Sequence, residues 1–321
     1  MTGPRAWSRR WVVIAACILT GAAGGGLAAQ EHGAAPGASG APARDIDIMH
    51  HLGNSHELEL PYWKAPYTYP VPLPRFAPIR IGPLALDLSI TKHLVFLVAG
   101  AALVGLIFSL VARSVARAQA QGRPPRGFAA AMEAMALYIR QEVILPNVGA
   151  HGEGYVPYLL TVFFFILACN LLGLLPWGAT ATGNIAVTGA MALVSLVVVE
   201  ISGLRTLGAK GYLGTIFYVP HGLPVALKPV MLVIMTPIEI IGKLAKPFAL
   251  AVRLFANMTA GHVVVLALIG LTFFFQSALV GVVAATMAAG IMLLELFVAF
   301  LQAFVFTLLT SVFIGLMRAE H

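Results

Sequence analysis

The chain has 321 residues, 59% of them hydrophobic and only 10% charged. Soluble domains carry roughly 25% charged residues, so this composition describes an integral membrane protein, and the net charge of +7 is a topology signal first. No glycine-rich phosphate loop, nucleophile elbow, CxxC pair or basic stripe interleaved with aromatics stands out, which argues against nucleotide chemistry, covalent catalysis and nucleic-acid binding.

Residues 1–29 read as a signal peptide. Arg5, Arg9 and Arg10 precede an apolar stretch from Trp11 to about Leu19, and the small residues Gly21 to Ala29 offer cleavage near Ala28 or Ala29. The competing reading is a retained first helix. Weaker signals are a twin-arginine pattern at Ser8-Arg9-Arg10 and a lipoprotein-like box ending at Cys17. Removing the segment leaves 17 basic against 13 acidic residues, a net +4, and leaves Cys169 without a disulfide partner.

Residues 30–91 read as a polar, proline-rich segment on the exported side. Gln30 to Arg44 is rich in Gly, Ala and Pro and reads as disordered. The cluster Asp45, Asp47, His50, His51, His56 and Glu57 matches no standard metal spacing and reads as a solvated surface. Glu57 to Leu60 and Ile79 to Leu88 have strand character around the turn-rich stretch Pro61 to Pro78, which predicts a small hairpin.

Residues 92–321 form the membrane domain. Lys92 to Arg113 brackets the first span, followed by a basic linker with Arg117, Arg123 and Arg126. In Phe128 to Asn147 the apolar positions Met132, Met135, Ala136 and Ile139 recur at helical spacing, which predicts an amphipathic helix in the interface. Tyr158 to Trp177 and Ile185 to Leu204 are the second and third spans. The loop Gly178 to Asn184 is uncharged, whereas the loop after the third span carries Arg205, Lys210 and Lys228. The positive-inside rule puts the two basic linkers in the cytoplasm, and the uncharged loop and the chain before Lys92 outside.

Val230 to Phe275 and Ala278 to Met317 are mostly apolar runs, each about twice the ~20 residues that one upright helix needs. Either each is a pair of helices with a tight turn, or the two are very long, strongly tilted helices that turn near Gln276 and Ser277. Pro237 and Pro247 would bend the first without ending it. The expected fold is all-α, with about five transmembrane helices and one interfacial helix.

The first long run carries Glu239, Lys243, Lys246, Arg253, Asn257 and His262; the second carries Glu295 and Gln302. Arg253 does not give up its proton, and a fixed charge at membrane depth costs at least ~2.5–3.5 kcal/mol. A snorkelling arginine, or one paired with a carboxylate, is the bland alternative. Glu239 and Lys243, four apart, can pair locally. Arg253 and Asn257 share a face, and so do Glu295 and Gln302, whereas His262 points away from Arg253. Groups that pass protons, displaced from one that cannot, suggest a relay with a barrier. Interhelical hydrogen bonds would also use these residues.

The stretch LAKPFALAVRLFANMTAGH, then LQAFVFTLLT and a C-terminus ending MRAEH, resembles subunit a of the F-type ATP synthase. CNLLGLLPWGATATGNIAVT (Cys169 to Thr188) and PIEIIGKLAKP (Pro237 to Pro247) add to the resemblance. It implies a non-catalytic stator subunit without cofactor or metal, packed against a ring of c subunits, with b subunits of the peripheral stalk and the remaining complex as partners. It implies two offset aqueous half-channels separated by Arg253. Asn257 and Gln302 match the polar pair that supports the arginine, and Glu239 the acid on the cytoplasmic approach. His262 and Glu295 look exchanged relative to one bacterial pattern, which suggests that they cooperate in one half-channel. Ala186 stands where the family often has asparagine, and Asn184 is a candidate replacement. A stand-alone transporter with a midplane charge is the competing class, although the two halves show no inverted repeat; a membrane scaffold is a third.

Overall fold

The computed structural model describes residues 57–61, 68–75, 79–81, 84–86, 89–149, 152–175, 180–217, 224 and 228–319. The expected signal peptide, the cluster Asp45 to His56, and His321 lie outside the described residues.

Two short antiparallel hairpins precede the helices, where one was expected. β1 (Glu57–Pro61) pairs with β2 (Thr68–Pro72), with Glu57 opposite Pro72, and β3 (Ile79–Ile81) pairs with β4 (Leu84–Leu86). β2 comes from within the supposed turn region. Its Thr68, Tyr69 and Val71 favour a strand, and its prolines are tolerated because every strand of a two-stranded sheet is an edge. The run Ile79 to Leu88 contains Gly82-Pro83, a turn dipeptide that divides it.

α1 (Lys92–Ala120) is longer than the span read from hydropathy. Arg113 and Arg117 ride on its last turns, where cations meet the negative end of the helix dipole. Gly122 and Gly127, both at positive φ, then turn the chain. α2 (Phe128–Tyr138) runs on through a π-helical stretch (Ile139–Ile144) into α3 (Leu145–Val148). The expected interfacial helix is therefore a helix, but its second half is embedded. The wider π turn brings Ile139, Val143, Ile144 and Val148 onto one face, and all four are buried.

α4 (Val156–Gly173) is the most enclosed span. A 3-10 turn (Ala181–Gly183) leads into α5 (Ile185–Ile216), which kinks at Gly208, φ 69°. The last two elements settle the choice left open by hydropathy. α6 (Lys228–Phe275, 48 residues) and α7 (Ala278–Ala319, 42 residues) are each one helix, and α6 continues through Pro237 and Pro247. Gln276 between them has φ 48°, the only positive φ at a non-glycine among the described residues. At 1.5 Å per residue these rods are about 72 and 63 Å long, against a hydrocarbon core of ~30 Å, so both must lie strongly inclined.

α7 packs against α6, α5 and α4. Phe163 of α4, Leu254 and Met258 of α6, and Phe306 and Ile314 of α7 are fully enclosed in the bundle. Near its end α7 is pinned. A Cβ on Gly315 would collide with the Asn147 carbonyl, and Arg318 Nη1 donates to the Val148 carbonyl at 3.2 Å. Among the described residues, five helices are long and apolar enough to cross a membrane. The protein is an all-α multi-pass membrane protein with two small hairpins ahead of it.

Candidate functional site

The six residues singled out in the sequence fall on α6 and α7, at three places along them. Leu250, Leu254 and Met258, at helical spacing, are the buried face of α6. Arg253 lies one residue off that face, near the middle of the helix, and is exposed. It makes no ion pair or hydrogen bond with any described residue. Pairing with a neighbouring carboxylate, one of its bland explanations, is not what the structure shows. Around it stand the exposed small residues Ala249, Ala256 and Ala260. One turn on, Asn257 Nδ2 donates to Gln302 Oε1 at 3.1 Å and so joins α6 to α7. Gln302 is 2% exposed, and its Nε2 finds no acceptor among the described residues.

The second cluster lies farther along α6. His262 Nδ1 is 2.7 Å from Glu295 Oε1, as an ion-pair contact with no donor aligned on that oxygen. Nδ1 also has the Met258 carbonyl at 3.2 Å, and Nε2 lies 2.8 Å from the Gly173 carbonyl. Gly261 makes this approach possible, since a Cβ there would sit 2.8 Å from the Glu295 carboxyl. Arg253–Asn257–Gln302 and His262–Glu295 are thus two assemblies on the same two helices, the first open and the second enclosed.

At the other end of α6 is a cleft lined by Ser195 and Glu200 of α5, Glu239, Lys243 and Lys246 of α6, and Thr310 of α7. The local pair expected between Glu239 and Lys243 does not form. Lys243 Nζ instead lies 3.4 Å from Glu200 Oε2, 3.2 Å from Thr215 Oγ1 and 4.7 Å from the centre of the Tyr212 ring. An exposed i,i+4 pair is worth only about 0.3–0.5 kcal/mol, and α5 offers an acceptor set in a site where Lys243 is 12% exposed. Glu239 keeps no ion-pair partner among the described residues.

A family profile described as ATP synthase A chain matches residues 94–315, a range that includes all six residues. The chain belongs to the ATP synthase A chain family. It is 45% identical over 276 residues to the ATP synthase subunit a of Pelodictyon phaeoclathratiforme, an alignment that spans 85% of this chain and 76% of that one. It is 44% identical over 291 residues to the subunit a of Chlorobium phaeobacteroides (strain DSM 266), with 90% and 80% covered. With the subunit a of Anaeromyxobacter dehalogenans the identity is 39% over 309 residues, with 92% and 76% covered.

Four polar residues of this family member were not singled out from sequence. Glu200 is a carboxylate inside the apolar third span, and the rule that drew attention to Arg253 would have found it. Asn170, fully buried, donates from Nδ2 to the Ala299 carbonyl at 3.2 Å and accepts from Thr182 Oγ1 at 2.8 Å. Thr180 reaches His262. Thr180 caps the start of the 3-10 turn and Thr182 lies within it, and no periodicity signals that turn. Asn184, offered as a stand-in for the asparagine missing at 186, has its Oδ1 engaged by the Ala186 N–H at 2.9 Å as the cap of α5.

Proposed function

We propose that this chain is the proton-conducting subunit a of a bacterial F-type ATP synthase. The observation that carries the reading is an exposed arginine midway along α6, without a polar partner among the described residues, with an enclosed imidazole–carboxylate pair farther along the same helices. A permanent cation open to the outside of the bundle suits a carboxylate that arrives on another subunit. It keeps that carboxylate ionised as it passes and blocks direct proton flow between two half-channels. Asn257 and Gln302 fix the helix pair beside it. His262 and Glu295 serve the exported-side half-channel, and Glu239 stands at the entrance of the cytoplasmic one. The inclination forced on α6 and α7 by their length suits packing along a ring of c subunits. The b subunits and the rest of the complex complete the partners, and ATP chemistry belongs to them.

The reading includes the chain's layout. Residues 1–29 are a signal peptide, 30–91 an exported segment and 92–321 the channel domain, in the bacterial inner membrane. The loop 178–184 is outside and His321 cytoplasmic, which agrees with the basic residues Arg113 to Arg126 and Arg205 to Lys228 on one side. Single cysteines tested with an impermeant maleimide in intact cells should label at position 185, exposed where the loop enters α5, and not at 321; the opposite pattern overturns the orientation. For the mechanism the test is Arg253→Ala. The complex should assemble and proton-driven ATP synthesis in inverted vesicles should vanish. Near-normal synthesis by the assembled variant would sink the reading.

A further inference from the structure

Thr180, in the connection between α4 and the 3-10 turn, is a buried threonine, 6% exposed. Its Oγ1 lies 3.2 Å from His262 Nε2, beside the Gly173 carbonyl at 2.8 Å from the same nitrogen. A backbone carbonyl can only accept, so Nε2 carries a proton in this arrangement. The Met258 carbonyl and Glu295 hold the ring at Nδ1 and the Gly173 carbonyl at Nε2; a second oxygen on Nε2 further restrains rotation of the ring plane about that axis. With Nε2 held, Nδ1 is the nitrogen left facing Glu295 Oε1, at 2.7 Å. The partner of one ring nitrogen thereby decides what the other can do.

A second observation comes from Gly173. A Cβ there would fall on Thr180 Oγ1 and within 2.8 Å of its methyl carbon. The glycine therefore lets the threonine side chain and the carbonyl approach the ring together. The methyl group is packed here and the hydroxyl is in contact with the histidine, so shape and hydrogen bonding can be separated by substitution.

We propose that Thr180 is a positioning residue for the proton-handling pair, its hydroxyl and the Gly173 carbonyl together fixing the His262 ring with Nδ1 toward Glu295. This rests on the reading that His262 and Glu295 conduct protons. The experiment compares Thr180→Ser, which keeps the hydroxyl and loses the methyl, with Thr180→Val, which keeps the shape and loses the hydroxyl. ATP-driven proton pumping is measured in vesicles and normalised to assembled complex, with Glu295→Gln alongside. The serine variant should keep at least half of the wild-type rate, and the valine variant should fall roughly fivefold, the order expected for loss of one hydrogen bond. Valine at the wild-type rate, or equal loss in both variants, overturns the proposal. If the valine variant does not assemble, Thr180→Ala takes its place: low pumping supports the proposal, and alanine as active as serine overturns it. Normal pumping by Glu295→Gln instead removes the underlying reading of the pair. An inactive Glu295→Gln beside an active valine variant removes the role of Thr180 alone.

Discussion

The two assemblies on α6 and α7 differ in what completes them. His262 is complete within the chain: both ring nitrogens face oxygen atoms, and the Glu295 carboxyl beside Nδ1 is buried. Arg253 is exposed and has no partner among the described residues. The first can be understood from this subunit alone, whereas the second calls for a negative group from elsewhere. A burial-based reading would rank the histidine pair above the arginine as the structural centre. A charge-based reading ranks them the other way, because an isolated guanidinium at membrane depth is the costlier feature to retain.

Substitutions can press on that difference, and the largest effect is expected at the open assembly. Arg253→Ala should abolish proton-driven synthesis, at least a hundredfold below wild type, with no loss of thermal stability, since the side chain makes no ion pair or hydrogen bond with any described residue. Arg253→Lys should fail almost as badly, because a lysine can lose its proton in a low-dielectric site. Lysine supporting wild-type synthesis would reduce the arginine's role to that of any surface cation.

The enclosed assembly should show exchange behaviour instead. His262→Glu and Glu295→His each leave two like groups and should lower ATP-driven pumping about tenfold or more. The double variant restores one of each and should recover part of the rate. A double variant no better than the worse single would mean that the two residues act separately.

A smaller effect is expected where neither assembly is touched. Leu254→Ala, next in sequence to the arginine but fully buried, should cost roughly 2–3 kcal/mol through the cavity it leaves. It should lower the Tm of the purified complex while the rate per assembled complex stays within about twofold. The smallest expected effect is at the cleft: Glu200→Gln should weaken the hold on Lys243 and slow pumping by about two- to threefold. No change in either rate or Tm would make that ion pair a surface ornament.

The sequence made the open assembly legible more readily than the enclosed one. A charge in an apolar run is visible without any fold, and the spacing of Arg253 and Asn257 placed both on one face, as observed. The length of the last two runs left two architectures open, and only the continuous helices decided between them. What spacing could not carry was the choice of partner across helices. Lys243 was within reach of Glu239 along its own helix, yet it turned to Glu200, because the environment built by α5 outweighs a weak local pair. Thr180 and Asn170 were invisible for a related reason: their roles depend on a short turn and on a backbone carbonyl, and neither leaves a periodic trace. In the hairpin segment, closure distance misled the reading, since β1 found its partner seven residues after its end rather than across the whole proline-rich stretch.

The contact at Gly315 reaches well beyond the end of the chain. The helix that carries Glu295 and Gln302 is one unbroken rod to Ala319, and at Gly315 its backbone lies against the Asn147 carbonyl with no room for a methyl group. A slip of one residue at that point would turn every side chain of the rod by about 100°. Glu295 would leave His262 and Gln302 would leave Asn257 at the same moment. The glycine works as the key in a keyed shaft: it touches no proton itself, and it sets the angle at which a carboxylate some 30 Å up the same helix meets its histidine.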